Sequence, residues 1–144
     1  MISDSSALPF EIPARDALGR QHVEGTLVAA EEALQFYWRF RDRTFKQLGD
    51  DMRLIEVDYH NVESIKLETT FYRFRPRLLL DLTDPRPLGE VPGTRVGAAT
   101  LMLTGPDAIQ AARTFLKKLD YRKSDALARA SITRMSELGG ERGL

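Results

Sequence analysis

The stretch Gly105-Pro-Asp-Ala-Ile-Gln-Ala-Ala-Arg-Thr-Phe-Leu-Lys-Lys-Leu119 predicts one amphipathic helix. Thr104 and Gly105 are alternative N-caps, Pro106 suits a first turn that needs no N–H, and the two lysines near the end complement the helix dipole. Apolar side chains recur at helical spacing, at Ala108, Ile109, Ala112, Phe115, Leu116 and Leu119. One face of this helix must therefore be buried, and the strand-like segments before it are the available partner.

Six or seven segments before the helix alternate apolar and other residues, as half-buried strands do. The clearest alternation is Leu34, Phe36, Trp38 and Phe40, which follows a segment at 23–29 across the polar turn Glu31-Glu32. Further strands are predicted at 52–59, 65–71, 78–82 and 94–104, with a weak one near 88–91. Two prolines predict a loop at 84–89. The sequence thus predicts an antiparallel sheet covered by one helix.

The predicted domain covers residues 21–120 and has an extension on each side. Residues 1–20 contain Pro9 and Pro13 without sustained periodicity, which favours a mobile arm. The alternating residues Leu8, Phe10 and Ile12 also suit a sheet edge or a contact with a neighbouring subunit.

Residues 121–144 are predicted to form a C-terminal helical tail. Ser124 and Asp125 suit the cap of a second helix that extends to about Leu138. Its apolar positions are poorly spaced, at Leu127, Ile132, Met135 and Leu138. A frayed tail and a docked helix both agree with this pattern.

The composition narrows the functional classes. The chain has 144 residues and no cysteine, which excludes thiol catalysis, disulfides and thiolate metal sites. Its 21 basic and 21 acidic residues cancel, so no overall field favours nucleic acid. The beginning of the chain lacks the features of a signal peptide, and no apolar run is long enough to span a bilayer. We expect a cytoplasmic protein of one domain that does not bind nucleic acid.

Catalytic and cofactor motifs are sparse. The two histidines, His22 and His60, have no serine or cysteine motif around them, and the glycines form no phosphate loop. An enzyme would need a cavity that joins His60 to an acid such as Asp58 or Glu63. We expect no catalytic residues, no cofactor and no metal site.

Three segments resemble the pleckstrin-homology (PH) superfold, in particular its bacterial PH-like and GRAM-like branch. Gly25-Thr-Leu-Val-Ala-Ala-Glu-Glu-Ala-Leu-Gln-Phe resembles the opening hairpin, and Glu56-Val-Asp-Tyr-His-Asn-Val-Glu-Ser-Ile resembles the passage from strand three to strand four. Residues 98–119 resemble the last strand and the capping helix. The resemblance implies a barrel of six or seven antiparallel strands in two nearly orthogonal sheets, with the amphipathic helix in the opening. A superfold does not define a function.

The resemblance also implies a lipid site in phosphoinositide-binding members, with a basic residue late in strand one and a basic-x-Arg pair in strand two. Arg39 and Arg41 agree with the second half of this pattern. The segment at 23–29 contains no lysine or arginine, and its turn carries Glu31 and Glu32. Membrane contact is therefore not expected through the usual PH phosphoinositide pocket.

An up-and-down order of strands would separate the charges. One end would collect the acidic turn Glu31-Glu32 together with His60, and the opposite end would collect most of the arginines. We take that basic end as a candidate site for an anion or a partner, consisting of Arg41, Arg43, Arg73, Arg75 and Arg77. Arginine suits contacts with carboxylate or phosphate, while a solvated rim is the structural alternative.

The sequence therefore predicts a non-catalytic PH-like binding domain. Protein binding or self-association is the leading interpretation, because the extensions at 1–20 and 121–144 are suited to contact a neighbouring chain. Binding to a membrane surface or to an anionic ligand through the arginine-rich end is the alternative.

Overall fold

A computed structural model describes residues 7–13, 22–41, 52–69 and 75–142 of the chain, with side chains as far as residue 136. Seven antiparallel strands form one sheet, and one long helix follows them. The strands are β1 (Ala7–Ile12), β2 (Val23–Ala29), β3 (Ala33–Phe40), β4 (Arg53–Asp58), β5 (Val62–Glu68), β6 (Arg77–Leu82) and β7 (Ala98–Leu103), and the helix is α1 (Ala108–Arg142). The predicted mainly β class with a C-terminal helix is confirmed.

The sheet consists of two meanders that meet at its centre. Its spatial order is β4-β3-β2-β1-β7-β6-β5. β1 pairs with β2 along its whole length, whereas in the part of the chain that the structure describes it pairs with β7 at Phe10↔Leu103 and Glu11↔Met102. Within the described residues the end strands β4 and β5 do not pair with each other, so this is a single sheet that is not closed.

The central strand lies in the segment that the sequence predicted as an N-terminal arm. Leu8, Phe10 and Ile12 are buried in the core, so the strand β1 replaces the mobile arm over these residues and is not at a sheet edge. Pro9 lacks the N–H that a strand with two neighbours would use, and it lies before the point where β7 begins to pair with β1. As a result, the hairpin at 23–40 is the second in the chain and not the first.

The core forms because alternate residues of most strands face the same side of the sheet. The rings of Phe10 and Phe36 are 4.9 Å apart within this core, and Trp38 is also fully buried. Gly25 lies opposite Phe10 in the register of β1 and β2. A Cβ atom at Gly25 would collide with the Phe10 ring and with the backbone oxygen of Tyr37, so this strand position requires glycine.

Most other strand predictions agree with the structure. The strands predicted at 78–82 and 52–59 lie within one residue of β6 and β4, and the one predicted at 65–71 begins earlier, at Val62. Residues 70–74 lie outside the described part of the chain. The predicted loop at 84–89 is confirmed, since it contains a 3₁₀ turn at Arg86–Leu88.

The weak strand predicted near 88–91 is wrong. Leu88 and Val91 are buried, but their backbone N–H groups donate to the carbonyl oxygens of Pro85 and Leu88 in successive turns. The hydroxyl of Thr94 also donates to the carbonyl oxygen of Leu88 at 3.1 Å. The apolar residues therefore cover the core from a folded loop rather than from a sheet ladder.

The helix is longer than predicted, because residues 108–142 form one helix where the sequence indicated two. Residues 120–123 contain neither glycine nor proline, so nothing interrupts the helix there. Ala112, Phe115 and Leu119 are buried against the sheet, as predicted, whereas Ile109 is 40 % exposed. At about 1.5 Å per residue α1 extends well past strands of six to eight residues, so its last turns project beyond the sheet.

Candidate functional site

Two of the predicted site arginines meet at one carboxylate. Arg41 follows β3 and Arg75 precedes β6, and these two strands run parallel in the sheet. Both arginines come near Glu11 because the register aligns the end of β3 and the start of β6 with the same residue of β1. Arg41 Nη1 lies 3.2 Å from Glu11 Oε1, and Arg75 Nη1 lies 3.1 Å from Glu11 Oε2. Glu11 is on the central strand and its side chain is only 18 % exposed, whereas the side chains of the two arginines are about half exposed, at 48 % and 58 %. One carboxylate thus bridges two cations from different meanders.

The other predicted site arginines do not join this cluster. Arg77 pairs with Glu68, directly opposite it on β5, at 2.7 Å. Arg43 and Arg73 lie outside the described residues. Of the five arginines in the candidate site, the structure therefore brings together Arg41 and Arg75.

Further ion pairs extend the cluster across β2 and β3. Arg39 Nε lies 2.6 Å from Glu24 Oε1, and Arg41 Nε lies 3.9 Å from Glu24 Oε2. His22 Nε2 lies 3.7 Å from Glu11 Oε2, and this nitrogen is buried without a hydrogen-bond partner. The cluster is a network in which two carboxylates alternate with three guanidinium groups.

A cavity of about 320 Å³ adjoins this network. Its lining includes Glu11, Arg75, Thr104 and Gly105. A Cβ atom at Gly105 would meet nothing within 4 Å, which shows how open the wall is at that point. A small ligand in this cavity would contact the Glu11 carboxylate and the Arg75 guanidinium together.

Glu11 was not predicted as a site residue, although the sequence carries a signal for it. Glu11 lies between Phe10 and Ile12 in the alternation that also suits a strand. A strand at 7–12 would have placed its side chain on the face away from the core. Its two arginine partners are 30 and 64 residues away in sequence, however, so the cluster itself required the pairing of β1.

The resemblance implies basic residues on the first two strands of the fold, and the observed strand order changes which segments these are. Observed strand one is Ala7–Ile12 and strand two is Val23–Ala29, and neither contains lysine or arginine. Arg39 lies on the third strand and Arg41 directly follows it. The acidic turn Glu31-Glu32 belongs to the second hairpin. The prediction that it lies in the first hairpin, where the lipid site would be, was therefore wrong. The basic residues of the phosphoinositide site are therefore absent from observed strands one and two, β1 and β2.

The acidic turn and the helix contact each other at the opposite end of the sheet. Arg122 Nη1 lies 3.5 Å from Glu31 Oε1, and Arg129 Nη1 lies 3.3 Å from Glu32 Oε1. Arg129 also donates to the backbone oxygen of Glu31 at 3.0 Å, and Lys123 Nζ donates to the backbone oxygen of Val62 at 3.0 Å. These contacts fix the middle of α1 on the β2–β3 turn and the start of β5.

A cleft of about 560 Å³ lies between the helix and this end of the sheet. Its lining includes His60 and Asp58, which the sequence analysis named for a possible enzyme, and it does not include Glu63. One Asp58 oxygen accepts the backbone N–H of His60 at 2.9 Å, so this carboxylate caps the 3₁₀ turn at Tyr59–Asn61. Thr133 and Arg134 face the cleft from the helix. The cleft contains polar groups without a serine or cysteine nucleophile among its lining residues.

Tyr59, beneath the same cleft, is a structural residue. Its ring is buried, and its hydroxyl donates to the backbone oxygen of Ala30 at the β2–β3 turn. Burial raises the pKa of Tyr59 to about 12, while the nearby charge of Arg122 acts in the opposite direction. The phenol is therefore protonated at neutral pH and serves as a hydrogen-bond donor.

The outer face of α1 presents apolar side chains, of which Ile132 and Met135 were predicted as loose contacts of a second helix and Tyr121 was not predicted. Tyr121, Ile132 and Met135 are 61 %, 66 % and 69 % exposed. At 100° per residue these three and Ala128 lie on one side of α1, opposite the side that buries Ala112, Phe115 and Leu119. We call Tyr121, Ala128, Ile132 and Met135 the outer seam. The seam begins above the sheet and continues along the projecting turns.

Comparison with known proteins found no matching family model, no matching curated protein and no matching solved structure. In the described part of the chain, no helix combines the length and the apolar character needed to cross a membrane. Nor do the described residues contain a group of three or more histidine or acidic side chains placed to hold a metal ion.

Proposed function

We propose that this chain is a PH-like, non-catalytic binding domain, and that its partner is a second copy of itself. The resemblance implies six or seven antiparallel strands followed by one helix, and the observed element order agrees with it. Two features support the finer arrangement of two sheets in a barrel. Among the described residues two pairs join the meanders at β1 and β7, and β4 lies beside the 3₁₀ turn at Arg86–Leu88 in the β6–β7 connection. Both are expected of a strongly curved sheet.

The observation that supports self-association is the outer seam. Tyr121, Ala128 and Met135 are seven residues apart, and Ile132 lies between the last two. This is the spacing at which one helix packs along another. Because the core-facing side of α1 is already buried against the sheet, the seam is available to a second helix.

A second copy is a suitable partner because Tyr121 and Met135 lie symmetrically about Ala128, each seven residues from it. In a two-fold antiparallel pair, Ala128 faces its equivalent at the axis, and its small side chain permits close approach. Tyr121 of one copy then faces Met135 of the other, which allows a favourable contact between sulfur and an aromatic ring. Three large apolar side chains per copy are fewer than obligate dimers bury, so we expect reversible association at micromolar concentration.

Sedimentation velocity tests this proposal directly. The natural chain should shift from monomer to dimer as its concentration increases, and Ile132→Glu combined with Met135→Glu should remain monomeric. Ile109→Glu is the matched control, since Ile109 is an exposed apolar residue of the same helix but lies outside the seam. A natural chain that stays monomeric at all concentrations, or a double variant that still dimerises, would refute the proposal.

Anion binding at the arginine-rich end is a second candidate function. The observation that favours it is the convergence of Arg41 and Arg75, each about half exposed and each with further N–H donors. Guanidinium groups bind phosphate and carboxylate strongly and in defined geometry. Arg41→Ala and Arg75→Ala should each weaken salt-sensitive binding of an anionic ligand, while the seam variants should leave it unchanged.

The proposal assigns no catalytic role to the cleft beside His60. The Asp58 carboxylate is engaged in the 3₁₀ turn, and the Tyr59 phenol is engaged with Ala30. His60→Ala should therefore change neither dimerisation nor anion binding.

A further inference from the structure

We infer that Arg41 and Arg75 form a phosphate site in which the Glu11 carboxylate competes with the phosphate for the two arginines. This inference rests on the second candidate function above and specifies its ligand. The two guanidinium groups bind different oxygens of Glu11, at 3.2 Å and 3.1 Å. An incoming anion must displace this carboxylate or share the arginines with it. The cavity of about 320 Å³ is lined by Glu11 and Arg75, so a ligand in it reaches the Glu11 carboxylate and the Arg75 guanidinium.

The resident carboxylate selects among anions. A free monocarboxylate would offer Arg41 and Arg75 the same charge that Glu11 already offers, and it would lose translational freedom on binding. A phosphate monoester carries up to two negative charges and three oxygens. It can therefore bind both guanidinium groups more favourably than the single charge of the Glu11 carboxylate does. Glu11 thus favours phosphate over carboxylate ligands.

The charge around the site supports displacement rather than permanent closure. Arg41 and Arg75 each keep about half of their side-chain surface in solvent, so their ion pairs with Glu11 are only partly buried. Ion pairs of this kind contribute little net stability. Breaking the ion pairs of Glu11 in exchange for a doubly charged ligand therefore costs little free energy. Glu24 is the neighbouring acid, and its carboxylate remains 3.9 Å from Arg41.

Calorimetric titration of the full chain with glycerol phosphate and with acetate at neutral pH tests this inference. The natural chain should bind glycerol phosphate weakly and acetate not at all. Glu11→Gln should bind glycerol phosphate roughly three- to tenfold more tightly and should gain measurable acetate binding. Arg75→Ala should lose binding. Asp84→Asn should behave as the natural chain, because its 2.7 Å ion pair with Arg86 lies at the opposite end of the sheet.

The possible results separate the inference from the function on which it rests. If Glu11→Gln binds no more tightly and still excludes acetate while Arg75→Ala loses binding, the anion site stands and the competitor role is refuted. If neither the natural chain nor Glu11→Gln binds glycerol phosphate, both are refuted.

Two further measurements cover folding and the source of the phosphate. If Glu11→Gln does not fold, the chemical shift of the Glu11 carboxyl carbon, measured by NMR in the natural chain, is used instead of the variant. That resonance should shift as glycerol phosphate is added, and an unmoved resonance during binding would refute displacement. Vesicles containing phosphatidic acid, with phosphatidylcholine vesicles as the control, test a lipid source. Glycerol phosphate should compete with the acidic vesicles, and failure to compete would overturn the phosphate site in favour of a general surface attraction.

Discussion

Glu11 and Arg75 are 64 residues apart in the sequence, yet their side chains meet at 3.1 Å. The contact links the central strand to the meander of β5, β6 and β7, and the contact of Glu11 with Arg41 links the same strand to the other meander. A segment predicted as an arm therefore joins both halves of the sheet. The first two predictions test the packing around this strand and around the turn at the far end.

Gly25→Ala should destabilise the fold by roughly 3 kcal/mol, because the added methyl group collides with the Phe10 ring and with the Tyr37 backbone oxygen. Urea unfolding followed by tryptophan fluorescence measures the change, since Trp38 is the single tryptophan and is buried. Gly89→Ala is the control. Gly89 has a helical φ of −61°, and an added Cβ would lie 3.3 Å from the backbone oxygen of Arg86, a tight contact without a collision. Alanine there should therefore change stability by about 1 kcal/mol or less. Equal effects at the two positions would contradict the packing of β1 on β2.

Tyr59→Phe should reduce stability by about 1–2 kcal/mol at neutral pH, because the Ala30 carbonyl loses its hydrogen-bond donor. The effect depends on pH with a defined sign. The pKa of Tyr59 is raised from 10.0 to about 12 in the folded chain, so its stabilising effect is complete below pH 10 and is lost as the pH rises through 12.

The advantage of the natural chain over Tyr59→Phe should therefore shrink between pH 10 and 12 in urea titrations. Other titrating groups are common to both proteins and cancel in this difference. Tyr121→Phe, at an exposed tyrosine, should show neither the neutral-pH loss nor the alkaline trend. A constant difference across this range would show that the Tyr59 phenol is not selectively stabilised in the folded state.

Phe115→Ala should cost about 3–5 kcal/mol, because it leaves a cavity between α1 and the sheet. Ile109→Ala, at the partly exposed position of the same helix, should cost less than about 1 kcal/mol. Thermal unfolding of the two variants measures the contrast. Similar midpoints would mean that the helix does not cover the core through Phe115.

Local patterns predicted the strands β2, β3, β4 and β6 well, because apolar alternation over six to eight residues is a direct consequence of a half-buried strand. β1 was missed because Pro9 and Pro13 are typical of a loose arm, and because one of its two partners, β7, lies about ninety residues further along the chain. Pairing over such a distance leaves no signature in a short window of sequence.

The candidate site was predictable only in part. A simple up-and-down order of strands predicted Arg41 and Arg75 at one end and the acidic turn with His60 at the other, and both pairs do come together. In the observed sheet β3 and β6 run parallel, so the register about β1 aligns the two arginines and not the strand order. The identity of the group between the arginines depended on β1, so Glu11 was not predictable without that strand. The outer seam was obscured because a break near residue 120 was expected, and a broken helix would not align Tyr121 with Met135.

Disulfide trapping at the centre of the outer seam distinguishes an antiparallel dimer of α1 from a monomeric chain. The chain contains no cysteine, so Ala128→Cys introduces a single thiol at the proposed two-fold axis. Thr114→Cys is the matched control, because Thr114 is also exposed and lies on the same side of α1, fourteen residues before Ala128.

In an antiparallel pair centred on Ala128, mild oxidation should convert Ala128→Cys to a covalent dimer and leave Thr114→Cys monomeric on a non-reducing gel. The Ile132→Glu and Met135→Glu substitutions should abolish the trapping when combined with Ala128→Cys. If Ala128→Cys remains monomeric under conditions of full oxidation, or if it is trapped no faster than Thr114→Cys, self-association through the outer seam is wrong.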